Sequence, residues 1–373
     1  MIGYLIVKLV GKCNLACGYC YYMNDLDDAF QMRMSLQSVL QMQNRYAEYA
    51  RRRGIQRVSL CWHGGEPTLI GKRAFQSILE AQIEAFGPDI TVRNLLQTNA
   101  TLIDAEWADL FVRHDVSVGV SLDGTEEAHD RARPFKSGGG SYQKTVQGLQ
   151  VLAAHGVRFG TLTVPNPRMS GAEVFRHHYA LGIRHMDFTL PVADATGFTR
   201  EFGMDGAQGL LAYMRGVFDA WLETDDPDVR IGSLENLVKL VAGGKSGHCT
   251  TSNRCSGYVT IEPNGDAGLC ENMRMLTTGV AAEQDPYLLG LNVETDDFDA
   301  IETAVMAQFR QSRINVLSAQ CTGCAERSIC NGGCSVHRYR DSGGFQNPSY
   351  LCDMYRGLIH HIRQTLYAEQ AVA

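Results

Sequence analysis

Three cysteines near the amino terminus have the spacing of a metal-binding loop. Cys13, Cys17 and Cys20 form the pattern C-x3-C-x2-C directly after a short apolar run. Thiolates of this kind bind a [4Fe–4S] cluster, which normally takes four of them. Three in one compact loop leave one iron open for a substrate, whereas a structural site is usually closed. The pattern therefore predicts an open catalytic cluster, and a zinc loop that borrows a distant fourth ligand is the alternative.

A second group of cysteines lies in the C-terminal part of the chain. Its eight members could form two complete four-cysteine sites, and they are Cys249, Cys255, Cys270, Cys321, Cys324, Cys330, Cys334 and Cys352. Full ligation favours electron transfer or a structural role over direct substrate binding. By spacing alone these sites could hold iron–sulfur clusters or zinc. The remaining cysteine, Cys61, stands in an apolar run and is predicted to be a small buried hydrophobe.

The composition narrows the class of protein. The 373 residues carry 34 basic and 41 acidic side chains, a net charge of −7, which argues against nucleic-acid binding. No apolar stretch is long enough to span a membrane, and no signal-peptide cleavage site follows the first one, so we predict a cytoplasmic protein without a membrane partner. Disulfides are rare in a reducing cytoplasm, so the cysteines are predicted to bind metal or to act in catalysis.

A strand–helix alternation must position the first cysteine loop. Apolar runs predict strands at Tyr4–Val10, Gln56–Trp62, Thr91–Gln97, Val116–Leu122, Val157–Val164 and Arg184–Leu190. The segments between them predict helices at Ser35–Arg53, Lys72–Phe86, Asp104–Arg113, Ser141–His155 and Gly171–Leu181, with Ser35 and Asp104 as N-caps. Six such units predict an α/β fold, a partial (β/α)6 barrel of the triosephosphate-isomerase (TIM) type. In such barrels chemistry takes place at the C-terminal ends of the strands.

The alternation stops after about Pro191. Helices are predicted at Ala207–Glu223 and Ser233–Ala242, and Asn264-Gly265 predicts a β-hairpin between Tyr258–Glu262 and Asp266–Leu269. The remainder to Asp353 is predicted to be loop-rich, with a closing helix at Tyr355–Glu369. We therefore expect a barrel domain at 1–225, a helical linker at 226–248 and a cysteine-rich domain at 249–373.

Polar and glycine-rich segments follow the predicted strands at the end where chemistry is expected. They are His63-Gly64-Gly65-Glu66-Pro67, Gln97-Thr98-Asn99 and Ser121-Leu122-Asp123-Gly124. With the cysteine loop, they resemble the radical S-adenosylmethionine (SAM) superfamily. The resemblance implies that the open iron binds SAM, which is cleaved reductively to a 5′-deoxyadenosyl radical. It also implies that the residues that contact SAM are Tyr19, Gly64, Gly65, Glu66, Asn99, Ser121 and Asp123.

The C-terminal cysteines resemble the SPASM extension of that superfamily, and the whole resemblance runs from about Val7 to Cys352. It implies an auxiliary cluster I at Cys249, Cys255, Cys270 and Cys334. It implies an auxiliary cluster II at Cys321, Cys324, Cys330 and Cys352. With the cluster at Cys13, Cys17 and Cys20, the resemblance implies three [4Fe–4S] clusters in all.

Two features bear on the substrate, which in SPASM enzymes is mostly a ribosomally made peptide. The length and the cysteine pattern resemble anaerobic sulfatase maturases, which carry an Asp base directly after the cysteine that matches Cys270. Glu271 stands there in this chain, and it is the candidate catalytic base. The run Trp62-His63 before the glycines instead resembles maturases that crosslink small peptides.

We predict a peptide maturase that abstracts a side-chain hydrogen and forms an oxidative crosslink of the cyclophane type or another carbon-linked macrocycle. The alternatives are a sulfatase maturase that makes formylglycine from Ser or Cys, an enzyme for a small molecule, and a non-catalytic iron–sulfur or zinc scaffold. The expected partners are a precursor peptide and a reducing protein of the flavodoxin or ferredoxin type.

Overall fold

The computed structural model describes residues 1–20, 22, 32–193, 195–253, 255, 257–277 and 287–368. Its strands are β1 (Tyr4–Val10), β2 (Arg57–Gly64), β3 (Thr91–Thr98), β4 (Val116–Ser121), β5 (Phe159–Thr163), β6 (His185–Phe188), β7 (Arg230–Ile231), β8 (Tyr258–Ile261), β9 (Asp266–Gly268) and β10 (Leu288–Asn292). All six strands predicted for the first half of the chain are present within a few residues of their expected limits. The predicted hairpin is also present, because β8 and β9 pair in antiparallel fashion.

Helices alternate with the strands of the first half, as expected. The first nine are α1 (Leu36–Arg52), α2 (Lys72–Phe86), α3 (Ala105–Arg113), α4 (Glu126–Ala132), α5 (Tyr142–Ala154), α6 (Gly171–Ala180), α7 (Ala195–Phe202), α8 (Gly206–Thr224) and α9 (Gly232–Val241). The others are α10 (Cys249–Ser252), α11 (Phe298–Gln311), α12 (Ala319–Thr322), α13 (Arg327–Cys330) and α14 (Cys352–Ala368).

The predicted N-caps of α1 and α3 are confirmed, because Ser35 accepts from the Ser38 N–H and Asp104 accepts from the Trp107 N–H. The predicted α/β class is confirmed. Of the predicted closing helix, Glu369 lies outside the described residues.

The chain forms two compact units. Unit 1 comprises Met1–Leu122, Glu126–Phe159 and Ser256–Gln311, and unit 2 comprises Asp123–Thr125, Gly160–Cys255 and Ser312–Ala373. The cysteine-rich region thus contributes to both units. The sequence-defined limits at residues 225 and 249 stay a prediction.

In unit 1 the strands lie in the order β10-β9-β8-β1-β2-β3-β4. The pairs β1–β2, β2–β3 and β3–β4 are parallel, and β8 also pairs with β1 in parallel. The hairpin therefore extends the sheet beside β1, which brings the segment after β9 to the strand that precedes the first cysteine loop. Unit 2 contains the parallel strands β5, β6 and β7 in that order.

Side chains alternate along β2 as a strand with two different faces requires. Val58, Leu60 and Trp62 are buried, and the Trp62 indole donates to Asn94 Oδ1 at 2.9 Å. Cys61 and His63 lie on the opposite, partly exposed face. This face carries the polar groups described below.

The prediction of a loop-rich segment up to Asp353 is wrong between residues 288 and 311. The structure has a strand at Leu288–Asn292 and a helix at Phe298–Gln311. The helix buries Phe298, Ile301, Val305 and Phe309, which recur every three or four residues. That periodicity was present in the sequence and outweighs the cysteine- and glycine-rich composition of its surroundings. Within the described residues, no helix is long and apolar enough to cross a membrane.

Candidate active site

The first cysteine loop is fixed to the rest of unit 1 by its backbone. Ala16 N–H donates to Pro134 O at 2.8 Å, and Gly18 N–H donates to Ala132 O at 3.1 Å. Leu15 between them is buried. These bonds leave the three cysteine side chains partly exposed, which is the arrangement a cluster-binding loop needs.

Two N–H donors lie near the Cys13 sulfur and would stabilise it in its deprotonated, thiolate form. Leu15 N–H points at Cys13 Sγ at 3.4 Å, and Asn99 Nδ2 lies 3.8 Å from the same sulfur. Burial raises the pKa of Cys13 to about 11, and the Leu15 N–H acts in the opposite direction. An iron ligand must be deprotonated, so binding of the metal has to release this proton.

The two glycines after β2 lie where the chain approaches β1 most closely. Gly65 N–H donates to Val10 O at 2.7 Å, and Glu66 N–H donates to Lys12 O at 2.9 Å. A Cβ on Gly65 would lie 2.4 Å from Lys12 O, and one on Gly64, whose φ is +135°, would lie 2.3 Å from Val10 O. Only glycine fits at both positions, and both contacts are with backbone that leads into the cysteine loop.

Replacing Gly65 with Ala is expected to displace the start of the cysteine loop. The added Cβ meets backbone atoms, which cannot rotate away, so we expect a cost of about 1–3 kcal/mol. We expect SAM binding to weaken by about tenfold or more, measured by anaerobic calorimetry on iron-loaded protein. Gly3→Ala is the matched control, because its Cβ would meet nothing within 4 Å. Equal affinities in the two variants would contradict the role of the close approach.

The Glu66 carboxylate is buried and joins the ends of two strands. Oε1 accepts from Thr68 Oγ1 at 2.6 Å and from Thr98 Oγ1 at 2.7 Å, and Oε2 accepts from Asn99 N–H at 2.8 Å. Burial raises the pKa of Glu66, and these donors act against that rise. The carboxylate therefore fixes the segment after β3 to the segment after β2. The contact of Glu66 with SAM that the resemblance implies stays a prediction.

The other predicted SAM contacts are distributed over both units. Asn99 Nδ2 donates to Asn14 Oδ1 at 2.9 Å, which ties it to the cysteine loop, and Ser121 Oγ accepts from Gln97 Nε2 at 3.0 Å. The Arg133 guanidinium lies 5.3 Å from the centre of the Tyr19 ring. Asp123 belongs to unit 2, where its carboxylate accepts from Val164 N–H.

Glu271 has a cationic partner that the sequence analysis did not identify. The Lys8 ammonium donates to the Glu271 carboxylate, and the Lys8 side chain is only 1% exposed. Lys8 lies on β1, and Glu271 begins the 3-10 helix Glu271–Thr277 that follows β9. The two residues meet because β8, the hairpin partner of β9, pairs with β1. The signal in the sequence was a lysine inside the apolar run Tyr4–Val10.

His63 completes this polar group. Its Nδ1 accepts from Gly64 N–H at 2.8 Å and lies 3.3 Å from Lys8 Nζ, while Nε2 lies 4.0 Å from a Glu271 oxygen. Burial, and then the charge of Lys8, lower the pKa of His63 to about 4. The imidazole is therefore neutral at pH 7. Nδ1 also lies 3.2 Å from Gly64 O, and Nε2 is the ring nitrogen on the side of Glu271.

Cys61, predicted to be a small buried hydrophobe, has a side chain that is partly exposed. Burial and the nearby Glu271 charge raise the pKa of Cys61 to about 12, so it remains a neutral thiol. Its place on the same face of β2 as His63 explains this environment, since alternate residues of a strand share a face.

A buried network behind Lys8 was also missed. Glu262 is fully buried and accepts from Arg274 at 2.7 Å, from Tyr287 Oη at 2.6 Å and from Tyr22 Oη at 3.1 Å. Lys8 and Arg274 also lie over the Tyr22 ring, at 4.6 and 5.2 Å from its centre. Because the Glu262 charge is paired and hydrogen-bonded, its burial is tolerable. The network joins the residue two positions after Cys20 to the helix that carries Glu271.

The four cysteines predicted for auxiliary cluster II belong to unit 2 and lie within electrostatic reach of one another, and their role as cluster ligands stays a prediction. Burial raises the pKa of Cys330 to about 12, and negative charge on Cys352, Cys321 and Cys324 adds to the rise. Glu326 N–H lies 3.4 Å from Cys324 Sγ and is a donor for a thiolate there.

Three members of the other predicted set are also neighbours in unit 2. Burial raises the pKa of Cys334 to about 12, and Cys255 and Cys249 contribute to the rise. Cys255 Sγ lies 3.4 Å from Ser335 Oγ. Cys270, the predicted fourth ligand, belongs to unit 1. Among the described residues, no three His, Cys, Asp or Glu side chains are arranged to hold a single metal ion.

Comparison with known proteins confirms the resemblance to the radical SAM superfamily and to the anaerobic sulfatase maturases. The profile of the radical SAM superfamily matches residues 7–174. The serine-type anaerobic sulfatase-maturating enzyme of Klebsiella aerogenes is 30% identical over 345 residues, which are 90% of this chain and 80% of that enzyme. The cysteine-type enzyme of Clostridium novyi is 24% identical over 380 residues, which are 100% of this chain and 98% of that enzyme.

Solved structures show the same fold. The structure of native anSMEcpe with bound AdoMet has a TM-score of 0.83 at 21% identity and covers 99% of this chain and 100% of that chain. The structure of Streptococcus suis SuiB bound to S-adenosylmethionine has a TM-score of 0.62 at 18% identity. The match covers 94% of this chain and 77% of that chain. The predicted partial barrel of the TIM type followed by a SPASM domain is thereby confirmed as a fold.

The predicted crosslinking reaction is wrong, because the sulfatase-maturating enzymes match almost the whole chain. The crosslinking prediction depended on Trp62 and His63, and the structure explains both residues without a crosslinking reaction. Trp62 is a core residue that bonds Asn94, and His63 bonds its own backbone neighbour and faces Lys8. The pair therefore reflects local packing and carries no information about the bond that is formed.

Proposed function

Because the chain belongs to the radical SAM superfamily, and within it to the family of the anaerobic sulfatase-maturating enzymes, we propose that it oxidises a Ser or Cys side chain of a sulfatase to formylglycine. The observation that carries the proposal is the carboxylate of Glu271, which directly follows Cys270 and is held by the buried ammonium of Lys8. It lies in the same unit as Cys13, Glu66 and Asn99. A maturase needs a proton acceptor in addition to its SAM site.

The residues fit the cofactors that the family implies, a [4Fe–4S] cluster and SAM. Three cysteines on one anchored loop, a backbone approach that only glycine permits, and a donor to the Cys13 sulfur are present together in unit 1. When bound, the cluster and SAM supply a 5′-deoxyadenosyl radical that takes one hydrogen atom from the substrate. We further propose the two auxiliary [4Fe–4S] clusters, on the grouping of Cys321, Cys324, Cys330 and Cys352 and of Cys249, Cys255 and Cys334.

The side chains around Glu271 have a defined task in this reaction. After the loss of a hydrogen atom from Cβ, a serine side chain must lose its hydroxyl proton and one electron to become the aldehyde. Glu271 takes the proton, and Lys8 holds the carboxylate in place. A cluster held by the auxiliary cysteines would serve as the acceptor of the electron. The pKa of His63 is lowered to about 4, so its imidazole is neutral at pH 7, and its Nε2 lies 4.0 Å from a Glu271 oxygen. A protein of the flavodoxin or ferredoxin type supplies the electron that cleaves SAM.

The direct test is conversion of a peptide that spans the modified position of a sulfatase. Three versions of the peptide carry Ser, Cys or Ala at that position, and the Ala version is the control. Each is incubated anaerobically with iron-loaded enzyme, SAM and a reductant, then treated with hydroxylamine, which captures aldehydes. We expect the Ser peptide to lose two hydrogens and to gain the hydroxylamine adduct at that residue, because serine-type relatives match at the higher identity.

The outcomes separate the candidate reactions. An adduct on the Cys peptide alone would keep formylglycine formation and assign the cysteine type. Loss of two hydrogens without an adduct would indicate another oxidation and would overturn the proposal. SAM cleavage with neither peptide changed would point to a different substrate.

A further inference from the structure

Arg338 in unit 2 is a buried cation without a carboxylate partner in the described part of the chain. Its side chain is 0% exposed. The guanidinium donates to Ile314 O at 2.6 Å, to Val316 O at 3.2 Å and to Asn253 Oδ1 at 3.2 Å, all of which are neutral acceptors. Its Nε is buried and has no hydrogen-bond partner among the described residues. A buried charge is costly unless an opposite charge lies nearby.

The surroundings of Arg338 contain that opposite charge once the thiols are ionised. Arg338 ends the 3-10 helix Val336–Arg338, which begins directly after Cys334 and Ser335. A Cβ on Gly332 would lie 3.8 Å from Arg338 Nε, so Nε is beside the segment that joins Cys330 to Cys334.

Thiols of both predicted auxiliary sets lie within electrostatic reach of the guanidinium. Burial lowers the pKa of Arg338, and negative charge on four cysteines raises it. In order of effect they are Cys255, Cys334, Cys321 and Cys330. The first two belong to the set for cluster I and the last two to the set for cluster II, so one cation serves both sets.

We propose that Arg338 is the buried counter-charge of the two auxiliary sites and raises the reduction potential of the iron–sulfur clusters that they hold. The inference depends on the auxiliary clusters of the proposed function. A cluster becomes more negative by one unit when it takes up an electron, so a nearby cation stabilises the reduced form. Because Arg338 is buried, water does not screen its charge. The potential of such a cluster depends on charge and hydrogen bonding around its sulfurs.

The experiment is a potentiometric titration followed by electron paramagnetic resonance, with iron and sulfide counted per chain. The wild type is compared with Arg338→Gln, which removes the charge, and with Arg338→Lys, which keeps the charge but loses the planar fork. Arg215→Gln is the matched control, because Arg215 is exposed on α8 of the same unit. Signals that change when SAM is added belong to the cluster at Cys13, Cys17 and Cys20, and the others belong to the auxiliary sites.

We expect the auxiliary potentials to become more negative in Arg338→Gln and to stay close to the wild type in Arg338→Lys and Arg215→Gln. Wild-type potentials in Arg338→Gln, or equal shifts in the Gln and Lys variants, would overturn the inference in favour of a structural role. If Arg338→Gln fails to take up iron, the test depends on Arg338→Lys. Normal iron content and wild-type potentials in Arg338→Lys would support the role as counter-charge, and loss of iron from that variant would refute it. A wild type without auxiliary iron would instead refute the proposed cofactor content.

Discussion

Replacing Glu271 with Gln is expected to stop formylglycine formation while SAM cleavage continues. The amide has nearly the same shape and can still accept from Lys8, but it cannot take a proton from the substrate. General-base catalysis contributes roughly 10²–10⁴-fold to a rate, so we expect a loss of that size. The measurement is the amount of aldehyde and of 5′-deoxyadenosine formed per enzyme in the same reaction.

The ratio of the two products distinguishes a catalytic role from a structural one. A misfolded site would lose both products, whereas loss of the base leaves 5′-deoxyadenosine formation in place. Glu127→Gln is the matched control, because Glu127 is exposed in the same unit and pairs with Arg131 on the surface. Product formation at the normal rate in Glu271→Gln would exclude Glu271 as the base.

Replacing Cys13, Cys17 and Cys20 together with Ala is expected to abolish SAM cleavage. The open cluster would have no ligands, and four-cysteine sites have no free iron at which SAM could bind. If all three clusters are present, the iron content should fall from about twelve to about eight atoms per chain. Iron analysis and a 5′-deoxyadenosine assay on anaerobically prepared protein measure both effects.

Cys61→Ala provides the matched control for this variant. It removes a thiol of the same unit that belongs to none of the three predicted clusters, so the iron content should equal that of the wild type. Retained SAM cleavage in the triple variant would refute the catalytic loop. A fall of iron to zero would show that the C-terminal cysteines do not bind clusters independently.

Local sequence patterns were sufficient for most of the fold. Apolar runs such as Tyr4–Val10 predicted the parallel strands, since a strand buried on both faces leaves a nearly continuous apolar run. The Asn264-Gly265 pair predicted the hairpin through its turn chemistry. The parallel pairing of β8 with β1 was not predictable in this way, because nothing in either segment specifies a partner so distant in the chain.

The residues of the candidate site likewise fall into those that local sequence patterns identified and those that only the folded structure reveals. Motif residues such as Cys13 and Glu66 lie at strand ends, as their order in the sequence indicates. Lys8 and Arg338 could not be recognised by motif, because their importance comes from what surrounds them after folding. Both nevertheless left a trace, since a fully charged side chain in an apolar run or beside clustered cysteines is expected to have a counter-charge.

The position of β1 between β2 and β8 has a consequence for how the chain folds. Tyr4 pairs with Ser59 on one side and with Tyr258 on the other, so the two strands that flank β1 lie at very different distances from it along the chain. Distant pairings raise the contact order and slow folding. During synthesis the β8-facing edge of β1 is complete long before its partner exists, and an unpaired apolar edge is a template for aggregation. We therefore expect hairpin docking to be a late folding step, and the Lys8–Glu271 contact to form only when it is complete.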